Sequence, residues 1–364
     1  MKSKTIEKRF EMIRTAVAIA IALGIALVVI VLVSEDPANA LYNFLIGPLT
    51  SFRRFANVIE LAIPITFCGL AVGIMFSADQ TNMAAEGGFY MSCATTSLAA
   101  ILLDLPPVIH PIVCILIGTI TGTAVVMIPA VLKVKWGANE LVSSLMLNYI
   151  CLYMATYLIR TKVMDTSLGV TASVTFQPTA SLPGIVPGTR LHLGLVFVVL
   201  ACVLCWLMMY RTKLGYEIRT IGQNRHFAKY AGIGVGGTLL AAQAIGGVLA
   251  GFGGAVEMTG MYTRFQYQGL TQYGFDGMMV AIIARYNPAL VPLAAVFLAY
   301  VRTGADIMNR TSDVPYEIIS VIQSIIIMLV VAKMFLNKFK HSMIVKNSKT
   351  ELAKKEAVHS GTDS

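Results

Sequence analysis

Chemistry-bearing side chains are few in this sequence, and the charged ones that stand out interrupt apolar runs. Glu60, Glu86 and Asp276 are of this kind, with Asn82, Asn139, Glu140 and Asn148 near them in sequence motifs. A charge at membrane depth is costly and as a rule faces a cavity or a partner. Glu60, Asn82, Glu86, Asn148 and Asp276 are therefore candidates for lining a polar pathway. A second role is open for Glu86, which lies beside Gly87 and Gly88 and could cap or brace a helix start. Asn139 and Glu140 open an apolar run and fit helix caps or contacts with a cytoplasmic loop. Phe89, Tyr90, Tyr149 and Tyr153 could stack on a flat ring, although lipid-facing and interfacial aromatics are commoner.

Other chemistries find no support in residue spacing. Cys202 and Cys205 form a C-x-x-C inside the run from Leu193 to Tyr210, without a second pair or a histidine partner. Cys68, Cys93, Cys114 and Cys151 also fall in apolar stretches, so all six read as small hydrophobes and not as metal or redox groups. His110, His192, His226, His341 and His359 show no ligand spacing. No G-x-x-x-x-G-K-[ST] occurs, so the chain lacks a phosphate-cradling loop for ATP. No clustered His, Asp or Glu suggests a membrane-embedded enzyme.

The elements that must position these residues are membrane helices. Of 364 residues, 56% are hydrophobic and 13% charged, with a mean hydropathy of +0.73; a soluble domain carries about 25% charged residues. About 20 apolar residues cross a hydrocarbon core of about 30 Å. On that criterion spans run from Thr15 to Val33, Ala56 to Phe76, Phe89 to Leu103, Val108 to Leu132, Leu141 to Ile159, Leu193 to Tyr210 and Thr238 to Val256. A further apolar stretch, Leu270 to Val301, is broken at Tyr286, Asn287 and Pro288, and a last span covers Val314 to Leu336. Proline disfavours a helical residue before it and lacks a backbone donor. Two short helices meeting near Arg285 to Pro288 give ten spans, with both termini in the cytoplasm.

The net charge of +9 could suggest nucleic acid, but its distribution follows membrane topology. On the ten-span layout 20 of the 28 basic residues lie on the cytoplasmic side. Arg53, Arg54, Arg160, Lys162, Arg190, Arg264, Arg302 and Arg310 face outward. The organisation expected is a cytoplasmic segment at 1–14, a transmembrane domain at 15–336 and a cytoplasmic, disordered tail at 337–364. The first span reads as a retained helix and not as a signal peptide. The glycines at 246, 247, 251, 253 and 254 fit close helix packing.

The longest internal cytoplasmic loop, 211–237, reads RTKLGYEIRTIGQNRHFAKYAGIGVGG. It interleaves Arg219, Arg225 and Lys229 with Tyr216, Ile218, Ile221, Phe227 and Tyr230. Such a mixture fits an amphipathic helix on the membrane surface, a helix docking in a partner's groove, or a solvated basic loop that only fixes topology.

This loop resembles the coupling-helix motif of permeases in the branched-chain amino acid and simple-sugar group of ATP-binding cassette (ABC) importers. The motif's G-x-x-x-R-x-x-G-x-N core is matched by Gly215, Arg219, Gly222 and Asn224. Its A-x-Y-A-G-I ending is matched by Ala228, Tyr230, Ala231, Gly232 and Ile233. Asn82 to Gly88 (NMAAEGG) resembles the group's N-I-G-A-E-G-Q, Gly137 to Asn148 its G-x-N-E-x-x-x-x-x-M-L-N, and Gly274 to Ala281 (GFDGMMVA) its G-F-D-G-I-A-V-A. Three positions depart from the pattern: His226 stands for a proline, Gly88 for a glutamine and Ala84 for a glycine.

What the resemblance implies is an all-α, ten-helix permease of the type II ABC importer kind, in the nucleoside-uptake branch, with simple-sugar permeases as close relatives. It implies a second permease subunit, an ABC ATPase docking at the coupling helix, and an extracytoplasmic substrate-binding lipoprotein, in the cytoplasmic membrane of a bacterium. No cofactor is expected on this chain, ATP being used by the partner ATPase. Gly215, Arg219, Gly222, Asn224, Ala228, Tyr230 and Gly232 become the candidate coupling residues. Asn224 and Ala228, four apart, are expected to share the docking face. An ion-coupled secondary transporter is the reading from a different class; it would need no coupling loop.

Overall fold

A computed structural model describes residues 36–312, together with Gly24, Val28, Val31 and Ser34. The first span at Thr15 to Val33, apart from Gly24, Val28 and Val31, the last span at Val314 to Leu336 and the two terminal segments fall outside the described residues. Eleven helices are present among those described: α1 (Pro37–Leu45), α2 (Phe52–Ser77), α3 (Ala85–Leu102), α4 (Ile109–Trp136), α5 (Glu140–Lys162), α6 (Gly194–Arg211), α7 (Lys213–Gln223), α8 (Arg225–Tyr230), α9 (Val235–Gly260), α10 (Tyr273–Ile283) and α11 (Val291–Thr311). Among these residues there is no strand, only two isolated bridges in the 163–193 loop. Leu45–Gly304 pack as one compact unit.

Local chemistry sets the helix ends. Ser51 caps α2 by accepting from the Arg54 amide at 3.2 Å, and Asn139 caps α5 by accepting from Val142 at 3.3 Å. The last turn of α4 carries Lys133 and Lys135, cations placed where the helix dipole is negative.

Apolarity divides the helices into an inner and an outer set. Six of those described, α2, α4, α5, α6, α9 and α11, are long and apolar enough to cross a membrane. In the most apolar window of α2, 89% of residues are buried in the chain, against 28% in α4, α5 and α6. A helix that is apolar on every face yet buried on only one turns the rest to lipid. The centre holds α2, α3 and α9. Without a hydrophobic drive between helices in lipid, close approach of small residues supplies the packing. A Cβ on Gly122 of α4 would stand 2.5 Å from the Gly251 Cα of α9, and one on Gly254 would stand 2.5 Å from the Phe89 carbonyl of α3. The five glycines of α9 expected to permit close packing all do so.

The apolar stretch after Leu270 is broken where the sequence places the turn. α10 ends at Ile283, and Arg285 and Tyr286 take left-handed φ values of 53° and 58° before α11 begins. At 11 residues α10 rises about 16 Å, half a membrane. One charge is placed differently from the sequence expectation. Arg302 does not sit in an outward loop, because α11 continues ten residues past Val301. The helix can carry this cation because Asp276 neutralises it.

Candidate functional site

Two regions bring the sequence-predicted residues together. The first is a buried polar knot at the meeting of α3, α5, α9 and α10. Residues 78–84 run into the bundle as a non-helical segment, which is tolerated only when its backbone groups are satisfied by protein. Ser144 accepts from the Met83 amide at 3.0 Å, and Asn148 accepts from Gly87 N at 2.9 Å while donating to Met83 O at 3.1 Å. Ser144 and Asn148 are one turn apart on α5, so a single face holds the segment. Asn82 donates to Val126 O at 3.1 Å and to Gln243 Oε1 at 2.9 Å; Gln243 in turn donates to Glu140 Oε1 at 2.5 Å.

Glu86, fully buried, closes the other side of the knot. Its carboxylate accepts from the amides of Gln272 (2.7 Å) and Gly274 (2.6 Å) and from the Thr271 hydroxyl (3.0 Å). Glu86 thus braces the start of α10, a half-helix whose first amides have no partner within it. Four residues later in chain order than its N-cap Gln272, Asp276 meets Arg302 of α11 through paired contacts of 2.6 and 2.8 Å. One of these contacts is a charge-assisted hydrogen bond, from Arg302 Nη2 to Asp276 Oδ1.

In this conformation, then, Asn82, Glu86, Asn148 and Asp276 hold helices together. Glu60 differs, being buried with Oε1 making no hydrogen bond. Beside it stands a residue the sequence reading passed over. Glu257 of α9 is fully buried, interacts electrostatically with Glu60, and has no hydrogen bond on either carboxylate oxygen. It follows a glycine-rich apolar run, and the pattern of that run speaks of packing and hides the charge.

The second region is the α7–α8 hairpin. Thr212 caps α7 by accepting from Gly215 N at 3.2 Å, and Asn224 caps α8 by accepting from Phe227 N at 3.0 Å. Gly215 permits the tight turn out of α6, since a Cβ there would lie 2.2 Å from Met208 O; at Gly222 it would lie 2.0 Å from Ser77 O at the end of α2. Arg219 lies over the Tyr210 ring, 4.9 Å from its centre. Glu217 ties α7 to the start of α9 by accepting from Thr238 at 3.1 Å. Gly232 ends the hairpin at φ 77°, a conformation that costs a side-chain-bearing residue strain.

Gly215, Arg219 and Gly222 therefore seat α7 on the bundle, while Asn224 and Gly232 shape α8. Ala228 is fully buried within this chain and does not share an outward face with Asn224. The exposed apolar surface of α8 is Phe227, 57% exposed, and Tyr230, 92% exposed.

Residues 54–331 match the family described as branched-chain amino acid transport system / permease component. The chain belongs to this permease family. It is thus a multi-pass membrane permease subunit and not an enzyme. Similar proteins include the guanosine ABC transporter permease protein NupP of Bacillus subtilis, 30% identical over 80% of this chain and 84% of its own. The glucose ABC transporter permease protein TsgB13 of Haloferax volcanii is 29% identical over 84% of this permease and 83% of its own length. The nucleoside ABC transporter permease protein NupB of Lactococcus lactis is 26% identical over 80% and 82%. The matched span of the permease takes in both the polar knot and the α7–α8 hairpin.

Proposed function

We propose that this permease is the membrane-spanning subunit of an ATP-driven ABC importer that carries nucleosides across the cytoplasmic membrane of a bacterium. The observation that carries the mechanism is the α7–α8 hairpin. α8 presents Phe227 and Tyr230 outward, while α7 is locked to the ends of α2 and α9 through Gly222 and Glu217. A separate ATPase seated on α8 would pull on α2 and α9 together, the helices that form the centre of the bundle. Nucleotide then drives transport to the extent that it favours one access state over the other. The solute class rests on relatives named for guanosine and nucleosides.

The assembly pairs this chain with a second, similar permease and receives solute from an extracytoplasmic lipoprotein. Ten spans, with α10 and α11 counted as two, put both termini in the cytoplasm; reporter fusions at Ser3 and Ser364 test that orientation, and an external signal at either end sinks it. A second reading, a simple-sugar permease, is favoured by the resemblance to the glucose relative. Uptake of labelled guanosine and labelled glucose by cells with and without this gene separates the two. The nucleoside reading expects guanosine uptake to fall and glucose uptake to persist; the reverse pattern refutes it.

A further inference from the structure

Opposite the α7–α8 hairpin, the 163–193 and 261–272 segments interlock. Ser173 N donates to Phe265 O, Phe176 N to Thr263 O and Leu182 N to Thr259 O, at 2.7 to 2.9 Å. Residues 261–272 are non-helical yet lead from the end of α9 to Gly274, where α10 begins against Glu86 inside the bundle. Irregular backbone that enters a membrane protein to this depth is either buried in protein or lines a cavity, and a broken helix beside it is a common place for solute.

An open recess is present there. A recess of about 530 Å³ is lined by Val170, Tyr262, Arg264, Gln266, Tyr267 and Gln268 with Ala172, within the range of about 300–1,000 Å³ typical of small-molecule sites. Tyr262 and Tyr267 meet edge to face at 5.2 Å, backed by Phe265 and Tyr90. Gln268 is fixed by donating to Thr171 O at 2.9 Å. Near the recess, at the end of α9, Glu257 is fully buried and neither of its carboxyl oxygens has a hydrogen-bond partner. A buried carboxyl without a partner marks a functional position by default.

We infer that this recess is a solute station at the outer mouth of the pathway, built for an uncharged solute that joins a flat ring to N–H and O–H donors. The inference rests on the proposed function and makes it more specific. The ring is recognised by the tyrosine faces. Donors suit the side-chain carbonyls of Gln266 and Gln268 on its wall. An anion is disfavoured because the cation of the recess, Arg264, is already paired with Asp165 at 3.5 Å. Asp165 is held ionised by Ser167, which donates both its hydroxyl and its amide. A sugar meets the donor requirement without the ring, so the recess separates nucleosides from simple sugars.

All six cysteines are free and buried, so a single introduced thiol can report on the site. Gln266→Cys and Val170→Cys place it on the two segments that line the recess, and Ser181→Cys, outside the lining, serves as the control. Each is made in the full transporter in cells and labelled with a membrane-impermeant maleimide. Guanosine at ten times its half-saturating concentration should slow labelling of both wall positions about tenfold and leave the control unchanged, with glucose ineffective. Adding Tyr267→Leu to the Gln266→Cys variant should remove that protection. Protection by glucose alone overturns the ring assignment. Labelling unaffected by guanosine, in a parental transporter that imports guanosine, overturns the station while leaving the proposed function standing. A parental transporter that imports no guanosine overturns the proposed function, and this inference with it.

Discussion

The carboxylate of Glu86 accepts the backbone amide of Gly274 at 2.6 Å, joining the first turn of α3 to the first turn of α10. The two motifs that contain these residues, NMAAEGG and GFDGMMVA, are 188 positions apart at this bond. A glycine is required because a Cβ at 274 would stand 2.5 Å from the Glu86 nitrogen. Gly274→Ala should therefore destabilise the permease by about 1–3 kcal/mol through overpacking. Glu86→Gln, which keeps the shape but turns a donor toward an amide, should cost about 1–3 kcal/mol. Thermal unfolding of the detergent-solubilised protein checks both; unchanged midpoints contradict the brace.

Removing one partner of a buried ion pair costs more than removing both. Arg302→Met leaves Asp276 buried without its cation and should destabilise by about 3–5 kcal/mol. Asp276→Asn in the same chain should recover a large part of that loss, since no uncompensated charge remains. The double-mutant cycle measures the coupling, and two losses that simply add would show that the pair does not act as a unit.

Much of this arrangement was legible in the sequence, and the exceptions have physical causes. The helix break at Arg285 to Pro288 could be read because proline and polar residues constrain the backbone locally. The hairpin's place in the chain was readable from its charge and its glycines. Its facing was not, because α8 has only six residues and whether Ala228 points inward depends on tertiary packing. Arg302 was assigned to a loop because counting basic residues treats each as solvated, and its partner lies 26 positions away. Glu257 was passed over because it adjoins apolar and glycine residues. Glu86 carried two readings, and only the position of α10 distinguishes a brace from a pathway group in this conformation.

His192 wedges between the start of α6 and the end of α9, where Gly194 and Gly260 leave room for its ring. Its Nδ1 accepts from Gly194 N at 3.1 Å, and burial lowers its pKa from 6.5 to about 4. The unfolded chain then binds a proton that the folded chain refuses. Stability falls as pH drops from about 6.5 toward about 4, and this group adds no further change below that. At pH 5 the loss is about 2 kcal/mol relative to pH 7. His192→Gln should flatten this part of the acid sensitivity in thermal unfolding measured at the two pH values. An equal slope in parent and variant would assign the sensitivity to other groups.

The exposed face of α8 gives the sharpest separation of fold from function. Tyr230→Asp and Phe227→Asp place carboxylates where an apolar contact with the ATPase would be desolvated, yet neither side chain is buried in the permease itself. Both variants should insert and unfold like the parent while solute-stimulated ATP hydrolysis falls by about tenfold or more, as loss of about 1.4 kcal/mol or more at a contact implies. Ala228→Asp, by contrast, should lower the stability of the hairpin itself. Full activity in both surface variants would remove α8 as the docking element.

The claim beneath all of these is that the chain moves nucleosides only when a separate ATPase drives it. Uptake of labelled guanosine into proteoliposomes is the direct measurement, made with the complete complex and its binding protein and with this permease alone. The account predicts accumulation against a gradient by the complex, dependent on ATP at the ATPase face, and neither accumulation nor ATP hydrolysis by the isolated chain. Uphill uptake by the isolated chain in an ion gradient, with ATP having no effect on the complex, would contradict it.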